Sequence, residues 1–292
     1  MSLAPLQTTL RQLKLSGLAA SLEVRLQEAA GHQLGHAEFL EVLVQDEVHV
    51  RADRQIERRV KAAGFRDRKN LDDFDWSFNP SLPKKQVFDL ASGRYLRENR
   101  DVLWLGPPGV GKSHLVQALG LAAIRQGRTV LYRSVFDTVR DFLHDDASSA
   151  LAAPDKLLQK YLKPDLLILD DMGMKQLPKR SGEYLFEIVM RRYETRSTMM
   201  TSNRPLEDWG KLLGDVPSAT AILDRFLHHA TILQLQGRSY RLRSQKDGGK
   251  ETEKEGGPEN DADGKAKPTP AAKPGKKAAK DEEKRPAPAG AA

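Results

Sequence analysis

The stretch Gly106-Pro107-Pro108-Gly109-Val110-Gly111-Lys112-Ser113 constrains what this chain can fold into more than any other. It satisfies the pattern G-x-x-x-x-G-K-[ST] at every fixed position. An apolar run, Val102-Leu103-Trp104-Leu105, precedes it, and a helical pattern (Leu115, Val116, Leu119, Ala122, Ala123) follows. Strand, glycine loop and helix in that order build a phosphate cradle. The glycines let backbone N–H groups converge on phosphate oxygens, and the helix N-terminus adds partial positive charge. Here Lys112 is expected to reach the terminal phosphates of a nucleotide and Ser113 to offer its hydroxyl to Mg²⁺, with His114 just behind them. A chance glycine-rich turn would account for the loop but not for its flanks.

A second element supplies the acids such a site needs. Leu166-Leu167-Ile168-Leu169-Asp170-Asp171 reads as a buried strand ending in two carboxylates. Asp170 is expected beside the loop, holding the metal through water, and Asp171 is expected to orient or deprotonate an attacking water. Without the loop, the two acids would be no more than a solvated pair at a strand end. The runs Thr129–Tyr132, Thr198–Thr201 and Thr231–Leu235 alternate with helical stretches. This predicts an α/β fold, a P-loop ATPase core with a five-stranded parallel sheet covered by helices on both faces.

The rest of the chain divides by pattern. Residues 1–65 read as a small all-α N-terminal domain, with leucines near helical spacing, a break at Gly31–Gly35 and a helix continuing to Lys61. From Arg51 to Lys69 there are eight Lys+Arg against three Asp+Glu. Arg51, Arg54, Arg58, Arg59 and Lys61 are candidate contacts to DNA phosphates; the plain alternative is a solvated face paired with Asp53 and Glu57. Residues 66–100 read as a linker and the start of the ATPase module, with a short helix from about Lys84 to Glu98. Residues 101–243 carry the core. From Ser244 onward the chain has no Leu, Ile, Val, Phe, Tyr or Trp, so 244–292 is expected to be a disordered tail. Phe74, Trp76 and Phe78 are candidates to pack near the base of a nucleotide or simply against the core. His228 and His229 are read as structural, because neighbours on a helix diverge by about 100°.

Composition removes several classes. The 292 residues include no Cys, which excludes disulfides, Cys-ligated zinc and Cys nucleophiles. No apolar run reaches the roughly 20 residues that span a bilayer, and no charged n-region with an apolar stretch opens the chain. A cytoplasmic protein without a membrane partner is expected. The net charge of +7 allows a nucleic-acid partner without requiring one.

Across residues 1–243 the sequence resembles IstB, the helper ATPase of insertion-sequence transposition. The likeness is carried by Leu10–Leu18, Leu71–Pro80, Gly106–Ser113, Leu166–Gly173, Thr201–Pro205, Ala219–His229 and Gly237–Arg241. The same AAA+ ATPase type is shared with the helicase loader DnaC and, more distantly, the initiator DnaA. The resemblance implies further roles. Asn203 would be a sensor of the γ-phosphate, Arg225 a finger acting in a neighbouring subunit's site, and Arg241 a sensor-2-like contact. Many AAA+ enzymes have Glu where this chain has Asp171; the shorter carboxylate fits slow turnover.

The implied function is a MgATP-dependent helper that forms a homo-oligomer on double-stranded DNA with little sequence preference. It would recruit or stimulate a cognate transposase, and ATP hydrolysis would reset the assembly. Two alternatives stay open at this point. One is a DnaC-type replicative helicase loader; the other is a nucleotide-gated DNA scaffold with negligible turnover.

Overall fold

The structure, a computed structural model, describes residues 3–148, 155–174 and 176–243. The expected tail 244–292 lies outside the described residues. Three helices open the fold: α1 (Ala4–Gln12), α2 (Ser16–His32) and α3 (His36–Ala63). The break between α2 and α3 falls at Gln33 to Gly35. Gly31 stays within α2, and Gln33 ends that helix with a left-handed backbone. Gly64, at φ 72°, stops α3. A strap of residues 65–83 leads to α4 (Lys84–Ala91) and α5 (Arg94–Arg97), so the single helix expected over Lys84–Glu98 is two, divided by Gly93 at φ 72°.

The core alternates as the apolar runs predict. It comprises β1 (Val102–Leu105), α6 (Lys112–Arg125), β2 (Val130–Ser134), α7 (Val135–Ser148), α8 (Asp155–Leu162) and β3 (Leu166–Met172). It continues with α9 (Ser181–Arg192), β4 (Ser197–Ser202), α10 (Trp209–Leu213), α11 (Val216–His228) and β5 (Thr231–Gln234). All four pairings are parallel, in the order β2-β3-β4-β1-β5. The expected five-stranded parallel sheet is therefore present, with the N-terminal helices ahead of it.

Alternation along each strand splits the sheet's side chains between two layers. Val102, Trp104, Tyr132, Leu166, Ile168 and Met199 join the cluster under α4, α5 and α6. Leu103, Leu131, Leu167, Leu169 and Met200 join the cluster under α7 to α11. A parallel sheet covered on both faces needs continuous apolar strands, which is how these runs read. The last turns of α3 add Ile56 and Val60 to the first cluster, with Phe65 following.

The α2–α3 pair has a different interior. Gly17 lets the two helices cross closely; a Cβ there would lie 2.8 Å from Glu47 Cα. The Glu47 carboxylate is buried and accepts from the N–H groups of Gly17 (2.6 Å) and Leu18 (3.2 Å), capping α2 from across the interface. Arg25 grips Asp46 through Nε and Nη2 at 2.8 and 2.9 Å. Of the helical leucines, Leu22 is fully buried, Leu18 and Leu26 are half-buried, and Leu6 and Leu13 are exposed.

Candidate functional site

The loop between β1 and α6 takes the form its residues require. Gly109 and Gly111 have φ of 82° and 106°, a region costly for residues with a Cβ. At Gly111 a Cβ would also sit 2.6 Å from the Phe74 ring, so the strap lies directly on the loop. Lys112 is the first residue of α6, and its Nζ donates to the carbonyls of Gly106 (2.7 Å) and Pro107 (2.9 Å). Burial pushes its ammonium down to about 8, against the pull of Asp170 and Asp171, while Arg241 pushes the same way as burial.

Asp170 sits at the end of β3 with no exposed surface. Its carboxylate is oriented by three hydroxyls. Ser113 Oγ donates to Oδ1 at 3.2 Å, Tyr132 donates to Oδ2 at 2.5 Å, and Thr201 donates to Oδ1. Tyr132 is held in its protonated form, first by burial and then by the adjacent Asp170. A fixed carboxylate beside a serine hydroxyl is an all-oxygen donor set of the kind that suits Mg²⁺. Asp171 differs from its neighbour. Its φ of 66° turns it out of the ladder, where the β3–β4 register shifts between Leu169 and Met172. Its N–H donates to Thr201 Oγ1 at 3.0 Å, and its carboxylate pairs with Arg66 Nη1 at 2.8 Å.

Lys112, Ser113, Arg66 and Asp171 line a cavity of about 490 Å³, with Asp170 buried behind Ser113. The loop from Pro108 to Ser113, together with His114, forms one wall. Phe74, Phe78 and Asn79 from the strap form another, and Arg66, Asp171, Asn203 and Arg241 reach it as well. Phe74 and Phe78 line the cavity, while Trp76 packs behind them on Phe74 and Phe88. His114 is engaged by the strap, with Nε2 3.1 Å from the Asn70 carbonyl oxygen and its ring edge-on to Phe74. The segment after β5 closes the clasp. Asn79 donates to the Arg238 carbonyl and accepts from the Arg238 N–H, both at 3.0 Å, and the Tyr240 N–H donates to the Gly109 carbonyl at 2.9 Å.

Other sequence candidates lie elsewhere. Arg225 is in the last turn of α11, half exposed, with its guanidinium 5.6 Å from the Tyr193 ring centroid; it does not line the cavity. Arg51 pairs with Glu47 at 2.7 Å, and Arg54 donates to Ser16 Oγ at 2.6 Å, so these two turn toward α2. Glu57 pairs with Arg68 rather than with a cation of its own helix. The side chains of Arg58, Arg59 and Lys61 make no hydrogen bond or ion pair among the described residues. The divergence expected of His228 and His229 does not hold. His228 ends α11 and His229 leaves helical geometry at φ −123°, so the rings come within 4.1 Å. Glu194 joins them at 2.9 Å from His229 Nε2.

Sequence reasoning missed Arg66, Gln117, Tyr132 and Thr201. Tyr132 and Thr201 end apolar runs beside Asp170, and that placement is a usable signal. Arg66 and Gln117 carry none, because what joins them is the path of the chain after α3.

A phosphate loop at a β1–α6 junction, an acid-tipped β3 and this strand order define a P-loop nucleotide-binding protein. The chain belongs to the IstB-like ATP binding protein family, whose family model matches residues 8–248. It is 36% identical over 244 residues to a Pseudomonas aeruginosa protein named for ATP binding and for its insertion sequence, IS21; the match covers 84% of this chain and 91% of that one. A similarly named relative from Geobacillus stearothermophilus, of insertion sequence IS5376, is 34% identical over 235 residues, covering 80% and 92%. Among solved structures, the DnaC helicase loader superposes with a TM-score of 0.44 at 18% identity, covering 52% of this chain and 87% of that chain. No helix of the described residues is long and apolar enough to cross a membrane.

Proposed function

We propose that this protein is a cytoplasmic, ATP-hydrolysing helper of transposition. It oligomerises on double-stranded DNA with little sequence preference, recruits or stimulates the transposase of its insertion sequence, and is reset by hydrolysis. The observation that carries the reading is the convergence of Lys112, Ser113 and Asp171 on one cavity walled by strap aromatics, with Asp170 hydrogen-bonded to Ser113 just behind it. In this reading the loop N–H groups and Lys112 hold the triphosphate. Lys112 would exchange its two carbonyl acceptors for phosphate oxygens, a stronger charge-assisted contact. Ser113 and Asp170 would hold Mg²⁺, which when bound neutralises charge on the β- and γ-phosphates. Asp171 is the group for the attacking water, Asn203 the γ-phosphate contact and Arg241 a further phosphate cation. Arg225, outside its own cavity and half exposed, suits a role in a neighbouring subunit's site. Arg51, Arg54, Arg58, Arg59 and Lys61 on α3 supply sequence-independent contacts to duplex phosphates.

Steady-state ATP hydrolysis by the full chain, with and without duplex DNA, tests the core of the proposal. Turnover is expected to rise with duplex and to fall by at least about a hundredfold in Lys112→Ala, as for loss of a preorganised charge at developing negative charge. Hydrolysis unchanged in that variant would remove the site. Retention of a replicative helicase instead of the transposase on the immobilised protein would move the partner assignment to helicase loading.

A further inference from the structure

The connection from α3 into the core is bonded to both halves of the phosphate site. Two residues past Gly64, the N–H groups of Arg66 and Asp67 donate to the same oxygen, Gln117 Oε1, at 3.0 and 3.1 Å. Gln117 is buried on α6, and its Nε2 donates to the Ser113 carbonyl at 2.9 Å. Phe65 packs on Tyr132, with ring centroids 6.0 Å apart, and fills the space left by the missing side chain of Gly120. The Arg66 guanidinium lies 5.9 Å from the Tyr132 ring centroid and ends on the Asp171 carboxylate at 2.8 Å. The backbone of Arg66 is thus tied to the helix that carries the phosphate loop, and its side chain to the second acid.

Asp171 is shaped for this partner. A left-handed backbone at a residue with a Cβ persists only where its surroundings impose it. Here the Thr201 hydroxyl bond and the Arg66 pair hold it. A guanidinium on a carboxylate oxygen occupies its lone pairs and fixes the direction in which the group points, so Oδ2 is turned to Arg66 and not to a water in the cavity. The pair is also easy to break. The Arg66 side chain is 52% exposed, and exposed ion pairs are weak.

We infer that Arg66 is a positioning residue that latches Asp171 away from the attacking water, and that duplex DNA on the basic face of α3 releases it. The inference rests on the proposed function. The mechanical link is α3 itself, one helix of 28 residues, roughly 42 Å long at 1.5 Å per residue. Its middle carries Arg51, Arg54 and Arg58, and its end leads through Gly64 to Arg66. A shift of the helix on the duplex is passed to the one contact in this chain of bonds that is half exposed.

The test compares wild type, R66Q and R66K as full chains, at saturating ATP, with and without duplex, reading kcat and KM separately. Duplex affinity is read by fluorescence anisotropy across a salt series. In R66Q, kcat without DNA is expected to rise by about two- to fivefold toward the DNA-stimulated value, the range set by a weak exposed pair, with KM for ATP unchanged. Because coupling is reciprocal, R66Q should bind duplex tighter by a similar factor, with the salt slope unaltered. R66K, which keeps the charge but loses the fork, should fall between the two, and it serves as the test if R66Q does not fold. A fall in kcat or a rise in KM would make Arg66 a phosphate ligand and overturn the latch. Weaker duplex binding with a flatter salt slope would make it a DNA contact and also overturn it. A stimulated wild type with the same stimulation ratio in R66Q overturns the latch alone, whereas wild-type turnover indifferent to duplex overturns the proposed function as well.

Discussion

In the α2–α3 hairpin the buried groups are Gly17, Ala19, Leu22, Leu43 and the carboxylate of Glu47, whereas the sheet buries Trp104, Ile168, Leu167, Leu103 and their neighbours between two layers of helices. The contacts that close the hairpin are polar: the buried Glu47 cap, and the Arg25–Asp46 and Arg51–Glu47 pairs, whose arginines are open to water and salt. Nothing at neutral pH competes comparably with apolar burial in the sheet. Helix α3 belongs to both regions, with Leu43 and Glu47 in the hairpin and Ile56, Val60 and Ala63 against the sheet. The difference suggests a division of labour: a rigid platform that keeps the phosphate cavity built, and a lightly fastened arm that can be displaced without dismantling it.

The harshest way to probe this contrast is to damage the platform. Ile168 is fully buried at the centre of β3 and faces α6 across Gly120. Ile168→Ala is expected to lower stability by about 3 kcal/mol, within the range for truncating a buried aliphatic residue. Denaturant unfolding followed by tryptophan emission should show it, since all three tryptophans (Trp76, Trp104, Trp209) lie outside residues 1–65. Far-UV ellipticity should be lost in the same transition. A variant that lost ellipticity early and kept its tryptophan signal would mean that the platform is not what supports the arm.

The same contrast explains what could be read before any coordinates. The five strands were legible because a sheet covered on both faces writes itself as continuous apolar runs, and β1, β3 and β4 begin or end within a few residues of the runs. The phosphate loop and Asp170 were legible because their spacing is local. The Arg66–Asp171 pair was not, because it depends on the backbone turn at Asp171 and on where α3 stops. The clasp between Asn79 and Arg238 spans 159 residues and has no local signature. The convergence of His228 and His229 was misjudged because the angular rule for a helix was applied across its end. Contacts fixed by long-range chain paths were the ones left unread.

A smaller effect is expected from loosening the arm. Glu47→Gln keeps the volume but replaces charge-assisted bonds to the N–H groups of Gly17 and Leu18 and removes the ion pair with Arg51. The expected cost is about 2 kcal/mol, the scale of a hydrogen bond to a charged group. It should be local. Hydrogen exchange should accelerate in α1, α2 and the first half of α3, with β1, β3 and β4 unchanged. Equal acceleration in the strands would erase the distinction between arm and platform.

The smallest effect is the most selective, because protons act with opposite sign on the hairpin carboxyls Asp46 and Glu47 and on the buried Asp101 of the platform. In the hairpin, hydrogen bonds from Arg25 and then Ser21 hold the Asp46 carboxyl down to about 2. Burial alone would raise Glu47, but bonds from Arg51 and from the Gly17 and Leu18 N–H groups outweigh it and bring it below the usual range. Both carboxyls therefore contribute stability above about pH 4 that is lost as pH falls toward 2. In the platform, burial pushes Asp101 up to about 7, against the Thr198 N–H bond and Arg192. The native state holds that proton longer than the unfolded chain does, so the contribution from Asp101 is greatest below about pH 4 and declines as pH rises toward 7. On acidification from pH 6 to pH 3, part of the helical ellipticity should be lost while tryptophan emission stays native. Arg25→Ala should move the ellipticity loss to higher pH, because the partner that lowers the Asp46 carboxyl is gone. Emission that shifted before ellipticity would show that the platform, and not the arm, is the acid-sensitive part.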